Sequence, residues 1–448
     1  MRLDRRQWLR LIGAGSAAGM LPGRTAADDL ARRHAPLRIT GLRVTPVALP
    51  DPPLLASGGC HGPYFLRNIV QLETDAGIVG IGETKGGEQA RAELERAREV
   101  VIGQNAFAYR RFTPQLLALA PSCLAGIELA CLDACGRATG RRLCELLGGP
   151  VRDEVEFAAY LFYRYAADHP RLAADPRLAA PRTQPLDDWG EVRTPEAMVR
   201  TAERFRRQWG FRAFKLKAGV LPPPVELETM KAMNTHFGGR QPLRIDPNAL
   251  WRTETAVRAG EVLRTVNLEY YEDPVRGQEA MAQVRRATGL RMSTNMCVTR
   301  FEHVREAVRL QPVDVVLCDL HYWGGIPACQ ELGRLCQALG WDLSQHSNSH
   351  AGVTMAAMIH VGAVTPQLTV ASDTHYPWLP EGADLIQGPK LPIRDGRMAV
   401  PAGPGVGVEL DPDKLARAAE TYRRCGQRER DDAATMRLIT PDWRPTPW

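Results

Sequence analysis

Between Lys215 and Asp373 the chain repeats one arrangement: a short apolar segment runs into a residue that can do chemistry, and a helix-compatible stretch follows. AFKLK ends at Lys217, LRID at Asp246, LEYYE at Glu272 and RMSTN at Asn295. DVVLCD ends at Asp319, DLSQH at His346 and TVASD at Asp373. Subtracting successive positions from Asp246 onward gives steps of 26, 23, 24, 27 and 27 residues. A (β/α)8 barrel spends about 250 residues on eight units, roughly 25 to 30 each, and carries its chemistry where the strands end. Seven segments on this beat predict such a barrel, with VEFAAYLF (155–162) as its first strand. Thr253–Val266 and Phe301–Leu310 are expected helices between strands.

The barrel leaves residues on both sides. Residues 37–48 alternate as a strand. Arg67–Thr84 reads as a hairpin turning at Asp75-Ala76-Gly77. Helices are expected over Glu88–Val101 and Ser122–Leu147, the second with Ile127, Ala130, Cys131 and Ala134 on one apolar stripe and a stop at Gly148-Gly149-Pro150. Strands followed by helices ahead of a barrel describe an α+β domain. The predicted fold class is α/β: a modified (β/α)8 barrel over 156–398, an α+β capping domain over 36–155, and a carboxyl-terminal segment, 399–448. Residues 163–193, rich in Pro, Asp and Arg, are expected to form a long loop on the active-site side.

Composition removes some classes of function. The formal charge of +6 is small for 448 residues, and no dense Lys/Arg tract follows the first 33. Nucleic-acid binding is not expected. The ten cysteines form no CxxC pair and no zinc spacing. Cys131 and Cys135 are read as buried small apolar residues rather than a disulfide or metal pair. Arg5-Arg6 opens RRQWLR, followed by LIGAGSAAGML. A twin-arginine pair before a short Gly/Ala-rich apolar run reads as a Tat signal within residues 1–35, with cleavage near Thr25-Ala26-Ala27. The expected location is periplasmic, or cytoplasmic if the signal is not used. No stable membrane insertion is expected.

The strand ends carry the chemistry. Asp246, Glu272 and Asn295 close three successive strands with two carboxylates and an amide. That is a hard, all-oxygen donor set, suited to Mg2+ or Mn2+ rather than zinc. Lys215 and Lys217 lie two apart on a strand and share a face. Side by side, near a divalent ion, the two ammonium groups are expected to lower each other's pKa and leave Lys217 a usable base. Asp319 and His346 end adjacent strands across the barrel, where the carboxylate would orient the imidazole. A metal between a lysine base and a histidine base suits removal of a proton α to a carboxylate.

FKLKAGV, IDPNALW, EDP, TNM, HSNSH from His346 and SDTH from Asp373, with HGPYFLRNIV at His61, PGVGVELD and RERDDA, make the chain resemble the enolase superfamily and, within it, the glucarate dehydratase family. The likeness covers residues 37–443. It implies that Asp246, Glu272 and Asn295 bind Mg2+, that Lys217 is one base tuned by Lys215, and that His346 with Asp319 is the other. It places His61, Tyr160, Lys215, Asn248, Ser347, His375 and Arg430 around an acid sugar, Asn248 sharing a strand face with Asp246. It implies that the carboxyl-terminal segment folds back onto the first domain, and that the loop 51–64 closes over the site. The implied reaction removes the α-proton of an aldarate and expels the β-hydroxyl, giving a 5-keto-4-deoxy product. The small-molecule partner is a sugar acid, and a homo-oligomer is expected. Where that family carries an Asn five residues before the loop histidine, this chain has Ala56. Two other readings stand beside the dehydratase: a sugar-acid racemase or epimerase using the same bases, and an exported sugar-acid binding protein.

Overall fold

The computed structural model describes residues 35–179 and 187–448. The expected Tat signal, within residues 1–35, lies outside the described residues except for Ala35. In the first domain, β1 (Ile39–Pro50), then the small hairpin of β2 (Leu55–Ala56) and β3 (Gly59–Cys60), precede β4 (Tyr64–Thr74) and β5 (Val79–Lys85). The order β1-β4-β5 is antiparallel throughout. The turn forms at the expected place: Gly77 takes a positive φ of 71° and its N–H returns to the Thr74 carbonyl at 3.0 Å.

Two helices close this sheet. Glu88–Val101 buries Ala90, Leu94, Ala97 and Val101, one stripe at helical spacing. Leu124–Thr139 is different, because every residue from Leu124 to Gly136 is buried. Its backbone lies directly on β5. A Cβ at Gly80 would run into the Ala130 carbonyl, and one at Gly82 into the Gly126 carbonyl. The helix is shorter than expected, ending at Gly140 rather than running to Leu147. Gly140 adopts the left-handed conformation that ends a helix (φ 67°), and the Arg141 N–H folds back to the Gly136 carbonyl.

Eight parallel strands form the second domain. They are β6 (Glu154–Phe162), β7 (Phe214–Lys217), β8 (Leu243–Asp246), β9 (Leu268–Glu272), β10 (Met292–Thr294), β11 (Val315–Cys318), β12 (Asp342–Gln345) and β13 (Ser372–Thr374). They pair in the order β12-β11-β10-β9-β8-β7-β6-β13. The first and last of that path meet where the Thr369 and Val370 N–H groups donate to the Leu343 carbonyl, which rounds the sheet into a barrel. Seven segments appear as read, with one difference: Asp373 lies inside β13, not at its end. The loop expected over 163–193 contains two short helical turns, Pro170–Ala173 and Pro176–Ala179.

The chain then returns to the first domain. β14 (Arg397–Ala399) pairs antiparallel with the start of β6. Beyond it, the Val406 N–H reaches Asp133 at 2.8 Å, Tyr422 donates to Glu88 at 2.6 Å, and Gln427 donates to the Tyr64 carbonyl at 2.9 Å. All ten cysteines are buried and free. Among the described residues, no helix is long and apolar enough to cross a membrane.

Candidate active site

Strand alternation sends every second barrel residue inward. On β7 these are Lys215 and Lys217, on β8 Arg244 and Asp246, on β9 Tyr270 and Glu272. All six side chains are buried. Register sets Lys217 opposite Asp246, and Lys217 Nζ donates to Asp246 Oδ2 at 2.5 Å. Lys215 Nζ reaches Glu272 Oε1 at 2.6 Å and Asp373 Oδ2 at 2.7 Å. Below them, Arg244 Nη1 holds the other oxygen of Asp373 at 3.2 Å. Asp373 thus serves the barrel interior rather than the mouth.

These pairings set the charges that the two lysines meet. Burial alone would push both lysines down, but the surrounding carboxylates outweigh it. Asp373 and Glu272 hold Lys215 well above its usual range, and Asp246 does the same for Lys217. In this arrangement both are ammonium groups. Asp246, pushed up by burial, is held below the usual carboxylate range by Lys217 and Lys215. Glu272 is raised by burial and by Asp246.

The three residues expected to bind a metal stand at the ends of three neighbouring strands, β8, β9 and β10. Glu272 Oε2 and Asn295 Oδ1 are buried without a hydrogen-bond partner. Asp246 Oδ1 accepts the Asn248 N–H at 2.9 Å. Two carboxylates and an amide, with unsatisfied oxygens among them, fit a hard divalent cation. Asn295 is fixed from behind by Asp273, which accepts its N–H at 2.8 Å and the Thr294 hydroxyl at 2.5 Å. Asn248 stands near Asp246 for a reason other than strand alternation. β8 ends at Asp246, and Asn248 has a positive φ of 53°, so the turn places it. Its Oδ1 is also buried and unpaired.

His346, expected to be the second base, follows β12. His346 Nδ1 lies 2.8 Å from Asp319 Oδ2. Although burial would raise Asp319, that hydrogen bond and the His346 charge hold it far below the usual range. An ionised carboxylate only accepts. The proton of neutral His346 therefore sits on Nδ1, leaving the Nε2 lone pair free. The Tyr322 ring lies alongside the imidazole, 5.8 Å between centroids and 23° between planes.

The remaining expected residues have the following neighbours. Lys215 Nζ and Lys217 Nζ lie 4.7 and 5.4 Å from the Tyr160 ring centre, so Tyr160 faces both cations. Ser347 Oγ accepts the His375 N–H at 3.2 Å. His375 lies 5.8 Å from His61, ring centre to ring centre. Arg430 is held by Asp432 through contacts of 2.8 to 2.9 Å.

Residues 40–148 match the family model "Mandelate racemase / muconate lactonizing enzyme, N-terminal domain", and residues 197–414 match "Enolase C-terminal domain-like". The chain is 42% identical over 438 residues to the "Probable glucarate dehydratase" of Streptomyces coelicolor, covering 91% of this chain and 97% of that protein. The chain belongs to the enolase superfamily. A superfamily member from Pseudomonas fluorescens, solved with bound magnesium, potassium and tartrate, is 39% identical, with a TM-score of 0.86 over 92% of this chain and 99% of that one. Another from Thermobispora bispora, solved with magnesium and formate, is 41% identical, with a TM-score of 0.84 over 91% and 98%. The D-xylonate dehydratase of Haloferax volcanii is a more distant superfamily relative, 26% identical over 78% of this chain and 90% of its own length.

Several residues of this superfamily site escape the strand-end pattern. Asp273, just past Glu272, and Arg244, inside β8, end no segment, while Asp373, read as ending one, lies within β13. Asp51 opens the loop 51–64 and lies 3.4 Å from His61. Arg67 and Glu83 come from the capping sheet. Glu83 accepts Arg67 Nε at 2.6 Å and the Ala351 and Thr354 N–H groups at 2.9 and 2.8 Å. It thereby caps the buried helix Gly352–Val364, which directly follows the His346 loop. No local signal marks such a cap, because donor and acceptor come from different domains.

Proposed function

We propose that this enolase-superfamily enzyme is a Mg2+-dependent acid-sugar dehydratase acting on D-glucarate to give 5-keto-4-deoxy-D-glucarate. The observation that carries this reading is the combination, at the strand ends of one barrel, of Lys217 beside Asp246, His346 on Asp319, and the buried unpaired oxygens of Glu272 and Asn295. The dehydratase names of the Streptomyces and Haloferax relatives support it.

His346 Nε2 takes the α-proton while Asp319 holds Nδ1–H and stabilises the imidazolium. The electron pair released at the α-carbon forms the double bond to the β-carbon. The β-hydroxyl leaves with the proton that His346 returns, as water, and the enol tautomerises to the ketone. From the opposite face, Lys217 would serve the epimeric carbon once deprotonated. A divalent ion held by Asp246, Glu272 and Asn295 would share the carboxylate charge that keeps both lysines protonated and would offset the negative charge developing on the substrate carboxylate. His61, Tyr160, Asn248, Ser347, His375 and Arg430 bind and orient the sugar chain. Mn2+ is the alternative ion.

The same two bases would also serve a sugar-acid epimerase without elimination. Purified protein with Mg2+, screened against a sugar-acid library, separates the readings. Keto-acid formation from D-glucarate supports the assignment. Exchange of the α-proton in D2O without keto acid favours the epimerase, and silence in both assays overturns both. We further propose export through the twin-arginine pair. Replacing Arg5 and Arg6 by Lys should move the protein from the periplasmic to the cytoplasmic fraction, and an unchanged distribution would refute export.

A further inference from the structure

One buried ion pair of the capping sheet has no part in the proposed proton transfers. Arg67 on β4 and Glu83 on β5 are both buried, with Nε and Oε1 2.6 Å apart. Between them they reach both segments that build the His346 base. After β12, Glu83 accepts the Ala351 and Thr354 N–H groups, and Arg67 Nη2 donates to the Thr354 hydroxyl at 3.4 Å. After β11, the same Nη2 lies 3.4 Å from His321 Nε2. A guanidinium only donates, so His321 Nε2 accepts and the proton of that ring sits on Nδ1. Burial and Arg67 push His321 down to about 4, in keeping with a neutral imidazole. Its Nδ1 is buried without a hydrogen-bond partner, which leaves the Arg67 contact to fix the ring.

His321 in turn controls the residues around His346. Its backbone N–H donates to Asp319 Oδ1 at 2.8 Å, while Oδ2 of the same carboxylate holds His346. The N–H groups of Tyr322 and Trp323 both return to the Asp319 carbonyl at 3.0 Å, so residues 319–323 form one tight turn. That turn supplies two neighbours of the imidazole: the Asp319 carboxylate at Nδ1 and the Tyr322 ring alongside it. Fixing the His321 ring from the capping sheet therefore fixes the turn. The lysine base is built differently. Lys215 and Lys217 are held by Asp246, Glu272 and Asp373 and face Tyr160, all on barrel strands.

We propose that Arg67, acting through His321, is a positioning residue for the His346–Asp319 base and not for Lys217. The capping sheet then governs proton removal on one face of the substrate and leaves the other face to the barrel. This rests on the two-base reading above and adds to it the element that sets the histidine side. A base displaced by about 1 Å can lose about 10²-fold in rate, so a contact that never meets the substrate can still decide turnover.

The test is α-proton exchange in D2O with Mg2+, followed by NMR for the full chain with D-glucarate and with its C5 epimer. Arg67→Met and His321→Leu should each lower kcat and exchange for D-glucarate about 10²-fold, while KM, exchange of the epimer and Mg2+ affinity by calorimetry stay within about twofold. His321→Leu keeps the Arg67–Glu83 pair, so it separates the effect from the cost of leaving Glu83 buried and alone. His321→Gln, whose amide oxygen can accept from Arg67, should recover most of the loss. Equal losses on the two epimers would mark a role in folding only, and unchanged exchange of D-glucarate would detach Arg67 from the base; either overturns the proposal. Imidazole 15N spectra supply a readout without substrate. His321 should carry its proton on Nδ1, and a proton on Nε2 in the wild type would break the link to Arg67. Silence of the wild type on both epimers would instead defeat the two-base reading, and the proposal with it.

Discussion

Lys217 and His346 were both found by their address at the end of a strand, but the charges that Lys217 meets are not those its neighbours on the chain suggest. The two lysines side by side imply mutual repulsion. Register across β7 and β8 instead sets Lys217 against Asp246, and barrel closure brings Asp373 to Lys215. A parallel register is a long-range property, so the sequence pattern shows which residues enter the site but not which charges they meet. The same holds for Asn248, placed by a positive-φ turn rather than by strand alternation. Asp319 is the sharpest test of the dyad. Asp319→Asn should place an amide donor or a neutral acceptor against Nδ1, weaken control of the tautomer and lower kcat by roughly 10²–10⁴-fold. Mg2+ affinity should stay within about twofold, since Asp319 touches no proposed metal ligand. A variant with normal kcat would remove Asp319 and the His346 tautomer from the mechanism. Lys217→Ala should cost turnover of the epimeric substrate more than of D-glucarate, and equal losses would refute the division of faces.

Elements meet through contacts that local patterns do not display. The stripe Ile127, Ala130, Cys131 and Ala134 announces a helix, but the burial of its whole circumference depends on Gly80 and Gly82 on another strand. Gly82→Ala should force the helix Leu124–Thr139 off β5 and destabilise by about 1–3 kcal/mol or more, read as a lower denaturant midpoint. An unchanged midpoint would mean that the helix can slide freely. That helix also reaches the barrel. Glu128 Oε2 accepts the Ile326 N–H at 2.9 Å at the start of the helix Ile326–Leu339, and a Cβ at Gly325 would strike its carboxyl. Burial pushes Glu128 up to about 8, only partly offset by the Ile326 N–H. A carboxyl whose folded pKa is raised makes the native state hold the extra proton. Its contribution is therefore most favourable below about pH 4.5 and is lost as pH rises toward 8. Glu128→Gln should remove this dependence. It should match the wild type near pH 5 and exceed it by about 1–3 kcal/mol at pH 8.5, measured by denaturant unfolding. A variant less stable at pH 8.5 would show that the ionised carboxylate is what the helix start requires.

At the scale of the whole molecule, the architecture was the most readable property. The steps between strand ends follow from the fixed size of a strand–helix unit, and no tertiary knowledge is needed to see them. What the pattern could not show was how the domains share one site, because the contacts join residues hundreds of positions apart. The metal site follows the same logic. Lys215, Lys217 and Arg244 face Asp246, Glu272 and Asp373, so the buried acids have cationic partners of their own. Stripping divalent ions with EDTA should therefore abolish turnover yet lower Tm by only a few degrees, in line with simple ligand linkage. Unfolding on chelation would show that the ion carries the fold. One remaining contact has a temporal meaning. Thr435 Oγ1 donates to the carbonyl of Gly62, beside His61, and Gln427 secures the neighbouring Tyr64. The loop is made near the beginning of translation and its fastenings near the end. A nascent chain thus carries every proposed base and every proposed metal ligand before it owns a finished cleft, and a product stopped some twenty residues early should be folded in its barrel yet poor at holding an acid sugar.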